Sequence, residues 1–227
     1  MSEIAAVLMD VEGTTTPVTF VTQTLFPYAQ GRLAAWCAAN AGHTALAAVR
    51  AAAPGLDELA ALRDWMARDE KVTALKEVQG LIWADGYASG EIVGEIYPDV
   101  APALRRWARG GVKLLVYSSG SVAAQKLLFG HSAAGDLTGL FGGFFDTRVG
   151  GKRAAESYAA ICRGTNVAGA EMLFLSDVGE ELDAAKAAGL VTCQLVRAAD
   201  GTRACGRHER AAAFDEVAEK FGLPAAV

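Results

Sequence analysis

Three short apolar runs, each ending abruptly in an acid or a hydroxyl, constrain this chain more than any other feature. Ile4–Met9 is unbroken and stops at Asp10. Val112–Tyr117 is apolar but for Lys113 and stops at Ser118-Ser119-Gly120. Met172–Leu175 stops at Ser176-Asp177. Successive side chains of a strand point to opposite faces, so a run that is apolar at every position is buried on both faces. That environment is the middle of a parallel sheet. Val191–Val196 and the short Phe144–Asp146 read as further strands. Helical periodicity fills the intervals: Val100–Arg109, a helix from near Arg153, Glu180–Ala188, and Ala211–Phe221 at the end. Strands alternating with helices predict an α/β fold with a doubly wound parallel sheet.

One interval breaks the alternation. From Phe20 to Gly94 the pattern is helical throughout, with Leu25, Tyr28, Leu33 and Trp36 at near-helical spacing, then Leu59, Leu62, Trp65 and Met66, then Leu75, Val78, Leu81 and Ile82. Pro54-Gly55 separates two of these helices, and Asp57 is placed to cap the next. The block lies between the first and second strands and is too long for an ordinary crossover. It reads as an inserted all-helical cap, residues 20–94, in an α/β core made of residues 1–19 and 95–227.

Composition removes several classes. Hydrophobic residues make up 52% of the chain and charged ones 21%, enough for a packed core and incompatible with a disordered linker. The net charge is −5 without a basic block, so nucleic acid and anionic membranes find no footprint. No apolar run approaches the ~18–20 residues of a membrane span. Met1-Ser2-Glu3-Ile4 has no basic region, so no signal peptide is expected and the location reads as cytoplasmic. Cys37, Cys162, Cys193 and Cys205 form no C-x-x-C pair and read as buried thiols rather than disulfides or zinc ligands.

Open parallel sheets bind ligands at the carboxyl ends of their strands, and right-handed crossovers bring those ends to one edge. Gathered there would be Asp10 with Glu12, Ser118 with Ser119, Asp177, and Lys152 after Gly150-Gly151. Any one of these alone reads equally well as a turn former, a helix cap or a solvated lysine. Together, carboxylates that repel unless a cation sits between them, hydroxyl donors and one ammonium suit phosphoryl transfer with Mg²⁺. A serine hydrolase is disfavoured because Ser118-Ser119-Gly120 lacks the G-x-S-x-G elbow. A phosphoryl-accepting signalling domain would carry its aspartate on the third strand and no large cap.

Asp10-Val11-Glu12-Gly13-Thr14, Ser118, Lys152 and Ser176-Asp177 resemble the four motifs of the haloacid-dehalogenase-like hydrolase superfamily. Glu12 departs from the pattern, since the phosphatases of the superfamily usually have Asp there. Asp10–Tyr28, Ala74–Trp83, Tyr117–Ser132, Phe145-Asp146-Thr147, Glu156-Ser157-Tyr158 and Phe174–Val178 resemble the enolase-phosphatases of methionine salvage, over nearly the whole chain.

The resemblance implies a bifunctional enzyme with one Mg²⁺ per chain, acting as a monomer. Its substrate would be a small phosphate ester, 2,3-diketo-5-methylthiopentyl-1-phosphate, enolised and then dephosphorylated to the acireductone. The alternative is a phosphatase of the same superfamily with a different small ester. By motif, Asp10, Glu12 and Asp177 would bind Mg²⁺, and Ser118, Ser119 and Lys152 the substrate. Asp10 would be the nucleophile and Glu12 the general acid and base, with Glu12 reaching the metal through its side chain or its backbone carbonyl. Glu181, one helical turn after Asp177, either orients the metal shell or is merely solvated. The cap would exclude water and recognise the methylthio tail. The base for enolisation stays open between Glu12 and a cap residue, with Lys76, Gln79 and Trp83 sharing one helix face.

Overall fold

The computed structural model describes residues Glu3–Ala225; Met1 and Ser2, part of the stretch read above for a leader, lie outside them. Strand β1 (Ala6–Met9) comes first. A π-helical segment, Phe20–Leu25, leads into α1 (Phe26–Ala39), α2 (Thr44–Ala52), α3 (Glu58–Ala67) and α4 (Thr73–Ala88). Then follow α5 (Val100–Arg109), β2 (Lys113–Tyr117), α6 (Val122–Gly130), β3 (Phe141–Phe145) and α7 (Ala155–Thr165). The chain continues through β4 (Met172–Ser176), α8 (Gly179–Ala187), β5 (Val191–Leu195), β6 (Glu209–Ala211) and α9 (Phe214–Phe221).

All six strands are parallel, in the order β3-β2-β1-β4-β5-β6. The chain builds β2 and β3 on one side of β1, then crosses to build β4, β5 and β6 on the other. The switch point therefore falls between β1 and β4. Met9 is in register with Val116 on β2 and with Leu175 on β4, so the residues that follow these three strands emerge at one level. The unbroken apolar runs have the predicted cause. Val7 and Met9 enter a core with Trp107 of α5 and Phe214 of α9, whose rings stack 5.2 Å apart. Ala6 and Leu8 enter the opposite core with Tyr158 of α7 and Leu182 of α8.

Several features differ from the sequence reading. β6 was not expected, and the last helix begins at Phe214 rather than Ala211, because residues 209–211 pair with β5. Helicity in the 20–94 block ends at Ala88, since Gly90 takes a positive φ of 76° and stops it.

The chain parts into two compact units at Val18–Thr19 and Val93–Gly94. The helical unit has its own core, centred on Leu33, Trp36, Leu46, Leu62, Trp65, Val78 and Ile82. Asp57 caps α3 by accepting from Ala60 N–H at 3.1 Å, as the sequence suggests. Gln79 is buried in this unit, and Trp83 donates its Nε1–H to Leu25 O. Among the described residues no helix is long and apolar enough to cross a membrane. The four cysteines are free; Cys193 is buried and the other three are half-buried.

Candidate active site

The loop after β1 is a tight turn built by its own sequence. Val11 O accepts from the N–H groups of Thr15 and Thr16, both at 2.9 Å, and Gly13 N–H donates to Thr16 O at 2.8 Å. Gly13 has φ +72°, and a Cβ there would lie 2.5 Å from Asp177 Oδ2. Only glycine satisfies both the backbone and the contact. The threonines tie the turn to its surroundings: Thr15 Oγ1 donates to Asp10 O at 3.2 Å, and Thr14 Oγ1 accepts from Asp177 N–H at 3.1 Å. Glu12 is half-buried in the turn, where its backbone bridges to Thr16.

Asp10, buried at the end of β1, receives the Lys152 ammonium at 2.5 Å. The same ammonium lies 2.6 Å from Glu181 Oε2, which also accepts from Ser176 Oγ at 2.9 Å. Glu181 is therefore part of the site and not a solvated first-turn residue. Burial alone would lower the Lys152 pKa, but Asp10 and Glu181 outweigh it and raise the value. The lysine stays charged and orients Asp10.

One lysine does not neutralise this cluster. Burial, with the charge of Asp10 second, pushes the Asp177 carboxyl up to about 7. The same two causes in the same order push Glu181 up to about 7. Asp177 Oδ1 is buried and accepts no hydrogen bond from protein. An orphaned carboxylate oxygen among repelling acids is a group awaiting a cation. Among the described residues no three His, Cys, Asp or Glu side chains form a metal cage. Mg²⁺ does not need one, because it takes one or two carboxylates and completes its shell with water and phosphate oxygens. Asp10 and Asp177 fit that requirement.

Ser118 is buried at the end of β2 and accepts from Gly120 N–H at 3.0 Å, while Ser119 beside it is exposed. Ser121 caps α6, so the loop feeds directly into a helix N-terminus, a favourable position for anionic oxygens. Two residues that carried no role in the sequence reading hold this loop. Gln125 Nε2 donates to Gly120 O (2.8 Å) and Phe145 O (2.9 Å), joining the ends of β2 and β3. Asp146 accepts from Val122 N–H at 3.2 Å and from Arg148.

The Lys152 loop is pinned in the same way. Tyr117 OH donates to Gly150 O (2.8 Å), Ser157 Oγ to Gly151 O (2.9 Å) and Tyr158 OH to Lys152 O (2.7 Å). Three successive carbonyls thus each receive a side-chain hydroxyl. Gly150 has φ +136°, and a Cβ there would collide with Ser157 Oγ. Ser157 and Tyr158 stand in one of the family-like segments, but only the fold reveals what they touch. Gln194, buried on β5, donates to Asp177 O at 2.8 Å.

All six residues singled out from the sequence thus lie in loops after β1, β2, β3 and β4. Direct contacts join Lys152 to Asp10, and Thr14 links Asp177 to the Asp10 loop. The histidines have contacts elsewhere: His131 Nδ1 lies 3.1 Å from Leu127 O, His43 caps α2, and His208 Nε2 lies 3.0 Å from Asp183 Oδ1.

Residues 4–189 match the family model of the haloacid dehalogenase-like hydrolases. The chain is 53% identical to "Enolase-phosphatase E1" of Gluconacetobacter diazotrophicus, over 98% of this chain and 97% of that one. It is 52% identical to the protein of the same name from Granulibacter bethesdensis, over 99% of each. Among solved structures, the UTR4 protein of Saccharomyces cerevisiae superposes with a TM-score of 0.81 at 32% identity, covering 94% of this chain and all 100% of that one. CbbY from Rhodobacter sphaeroides, solved with phosphate, shares the fold at a TM-score of 0.62 and 20% identity, covering 94% of this chain and 96% of that one.

Proposed function

On the premise that the chain belongs to the enolase-phosphatase E1 family of haloacid dehalogenase-like hydrolases, we propose that Asp10 is the nucleophile of its phosphatase reaction. The activity is that of an acireductone synthase in methionine salvage. 2,3-Diketo-5-methylthiopentyl-1-phosphate is enolised, and its phosphate is then removed to leave the acireductone.

The observation that carries the nucleophile assignment is the Lys152–Asp10 pair, with an N–O distance of 2.5 Å inside a buried site. The ammonium is hydrogen-bonded to the Asp10 carboxylate and fixes its direction. An Asp10 oxygen attacks phosphorus, the P–O bond to the enol oxygen breaks, and an aspartyl-phosphate forms. Glu12 gives its proton to the departing oxygen, then takes one from the water that attacks the aspartyl-phosphate. That second attack releases inorganic phosphate and restores the Asp10 carboxylate. Ser118, Ser119 and the N–H groups at the start of α6 hold the phosphoryl oxygens. Lys152 is shared between Asp10 and Glu181, which sets its ammonium beside the phosphoryl group as charge develops.

Asp10 and Asp177 would hold one Mg²⁺, with Glu12 contributing through its side chain or its backbone carbonyl. The fit rests on the orphaned Asp177 Oδ1 and on the mutual repulsion of the acids. When bound, Mg²⁺ supplies Lewis-acid polarisation and screens the phosphate charge from the Asp10 carboxylate. The monomer implied by the sequence resemblance is taken as the working unit. The four free thiols support a cytoplasmic location.

A time course on the diketo phosphate with Mg²⁺, following enol absorbance and inorganic phosphate together, tests the reading. Enol should rise before phosphate. Asp10→Asn should abolish phosphate release, and turnover retained in that variant would remove Asp10 from the nucleophile's role.

A further inference from the structure

The Asp10–Thr16 turn is not held by its own hydrogen bonds alone. Arg197 lies just beyond β5, at the edge of a segment to which the sequence attached no role, and is 6% exposed. Its Nη2 and Nε both donate to Thr14 O, at 2.9 and 3.3 Å. Its Nη1 donates to both Asp99 carboxylate oxygens, at 3.1 and 3.0 Å, and to Ala212 O at 3.0 Å. The guanidinium carbon lies 4.1 Å from the centroid of the Tyr97 ring and 5.5 Å from that of Phe214. Tyr97 in turn donates its N–H to Thr15 O at 3.0 Å and its hydroxyl to Asp200, which also accepts from Val18 N–H at 3.2 Å.

A buried ion pair is a poor device for stability, because apolar side chains of similar volume commonly do as well without the cost of desolvating charge. Geometry is what the arginine adds. Its planar fork serves a carbonyl and a carboxylate in two fixed directions at once, which a lysine ammonium does not. The carbonyl it holds belongs to the turn that ties the two proposed metal-binding residues together: Thr14 Oγ1 accepts from Asp177 N–H, and its neighbour Thr15 donates to Asp10 O. A shift of Thr14 would therefore move Asp10 and Asp177 relative to each other.

We propose that Arg197 is a positioning residue for the reaction, fixing the Asp10–Thr16 turn through Thr14 O so that Asp10 and Asp177 share one cation. The inference rests on the roles given to those two residues above. Arg197 touches none of the reacting atoms and acts through the backbone of the turn.

Two variants test it, Arg197→Lys and the double variant Arg197→Met/Asp99→Asn. The double variant leaves no unpaired buried charge. Its asparagine side chain still offers an oxygen to Phe214 N–H, a donor that the Asp99 carboxylate accepts at 2.8 Å in the parent. The first readout is amide hydrogen exchange of residues 10–18 in the metal-free protein. The others are the Mg²⁺ dissociation constant by calorimetry, and kcat and KM. Exchange should accelerate about tenfold in residues 10–18 while the strands keep their protection, since local opening is independent of the global barrier. The Mg²⁺ dissociation constant should rise about tenfold, and kcat should fall on the order of 10²-fold with KM within about twofold of the parent. Folded variants with parental exchange and parental Mg²⁺ affinity would overturn the proposal. So would protection lost across the whole chain in both variants, because Arg197 would then serve folding alone. A parent protein that releases no phosphate would instead count against the functional reading, and exchange and Mg²⁺ affinity would still decide Arg197.

Discussion

Replacing Gly13 by alanine tests the idea that the turn after β1 is shaped around Asp177. Two costs can be worked separately. Gly13 has φ +72°, a conformation in which a Cβ costs roughly 1–2 kcal/mol. The added Cβ would also stand 2.5 Å from Asp177 Oδ2 and 2.6 Å from its Cγ, where ordinary contact begins near 3.4 Å. The carboxylate must move by about 0.9 Å, the difference of 3.4 and 2.5 Å, or the turn must. A displacement near 1 Å in a catalytic group costs on the order of 10²-fold in rate. Gly222→Ala separates the two effects, because Gly222 has φ +68° and no atom within 4 Å of the added carbon. Both variants should lose about 2–8 °C in Tm, taking roughly 2–4 °C per kcal/mol for a chain of this size. Only Gly13→Ala should lose Mg²⁺ affinity and about 10²-fold in kcat. The assay is phosphate release across a Mg²⁺ titration, with thermal unfolding on the same samples. A Gly13→Ala enzyme within about threefold of the parent kcat at saturating Mg²⁺ would refute the reasoning. An equal activity loss in Gly222→Ala would refute its locality.

Other expectations follow from the same network. Asp177 and Glu181 have folded-state pKa values raised to about 7, so between about 4 and 7 the metal-free folded state binds more protons than the unfolded chain. The contribution of these two groups to metal-free stability should therefore be full below about pH 4 and be lost as pH rises through about 7, and saturating Mg²⁺ should remove most of that loss. Asp177→Asn should raise the metal-free Tm at pH 7.5 by about 2–8 °C, from about 1–2 kcal/mol after allowance for solvent screening, while abolishing Mg²⁺-dependent turnover. A metal-free Tm that rises steadily from pH 5 to 7.5 would contradict this account. Tyr158→Phe removes only the hydroxyl that holds Lys152 O, and kcat should drop about 2–10-fold with KM near the parental value, in line with the net worth of one hydrogen bond. Steady-state kinetics would check it, and an unchanged kcat would mean that the Lys152 loop needs no such anchor.

The elements most legible in the sequence were those whose cause is local. Ile4–Met9 announces a doubly buried strand because an apolar run gains by leaving water on both faces; Ala6–Met9 forms it, with Leu8 and Met9 entering opposite cores, while Ala5 stays exposed. β6 was missed because Glu209-Arg210-Ala211 has neither an apolar run nor clean alternation, and only pairing with β5 makes it a strand. Glu181 stayed ambiguous for a similar reason. An acid in the first turn of a helix looks the same whether it faces solvent or, as here, a lysine 2.6 Å away.

By itself the sequence determined a parallel α/β sheet, the helical insertion after its first strand, and which acids, hydroxyls and lysine end the loops at one sheet edge. Burial and periodicity act along a few residues of chain and leave their mark in composition. Which groups touch was decided only by tertiary structure. Lys152 and Asp10 are 142 residues apart in sequence, and Arg197 and Thr14 are 183 apart. Their meeting depends on the register of β1 with its two neighbours, on the crossover that carries the chain past β1 to β4, and on the hydroxyls and amides that hold each loop at its end. Hydrogen bonding at this range depends on distances and angles that no local pattern encodes, and so a buried arginine in an unremarked loop became visible only in the fold.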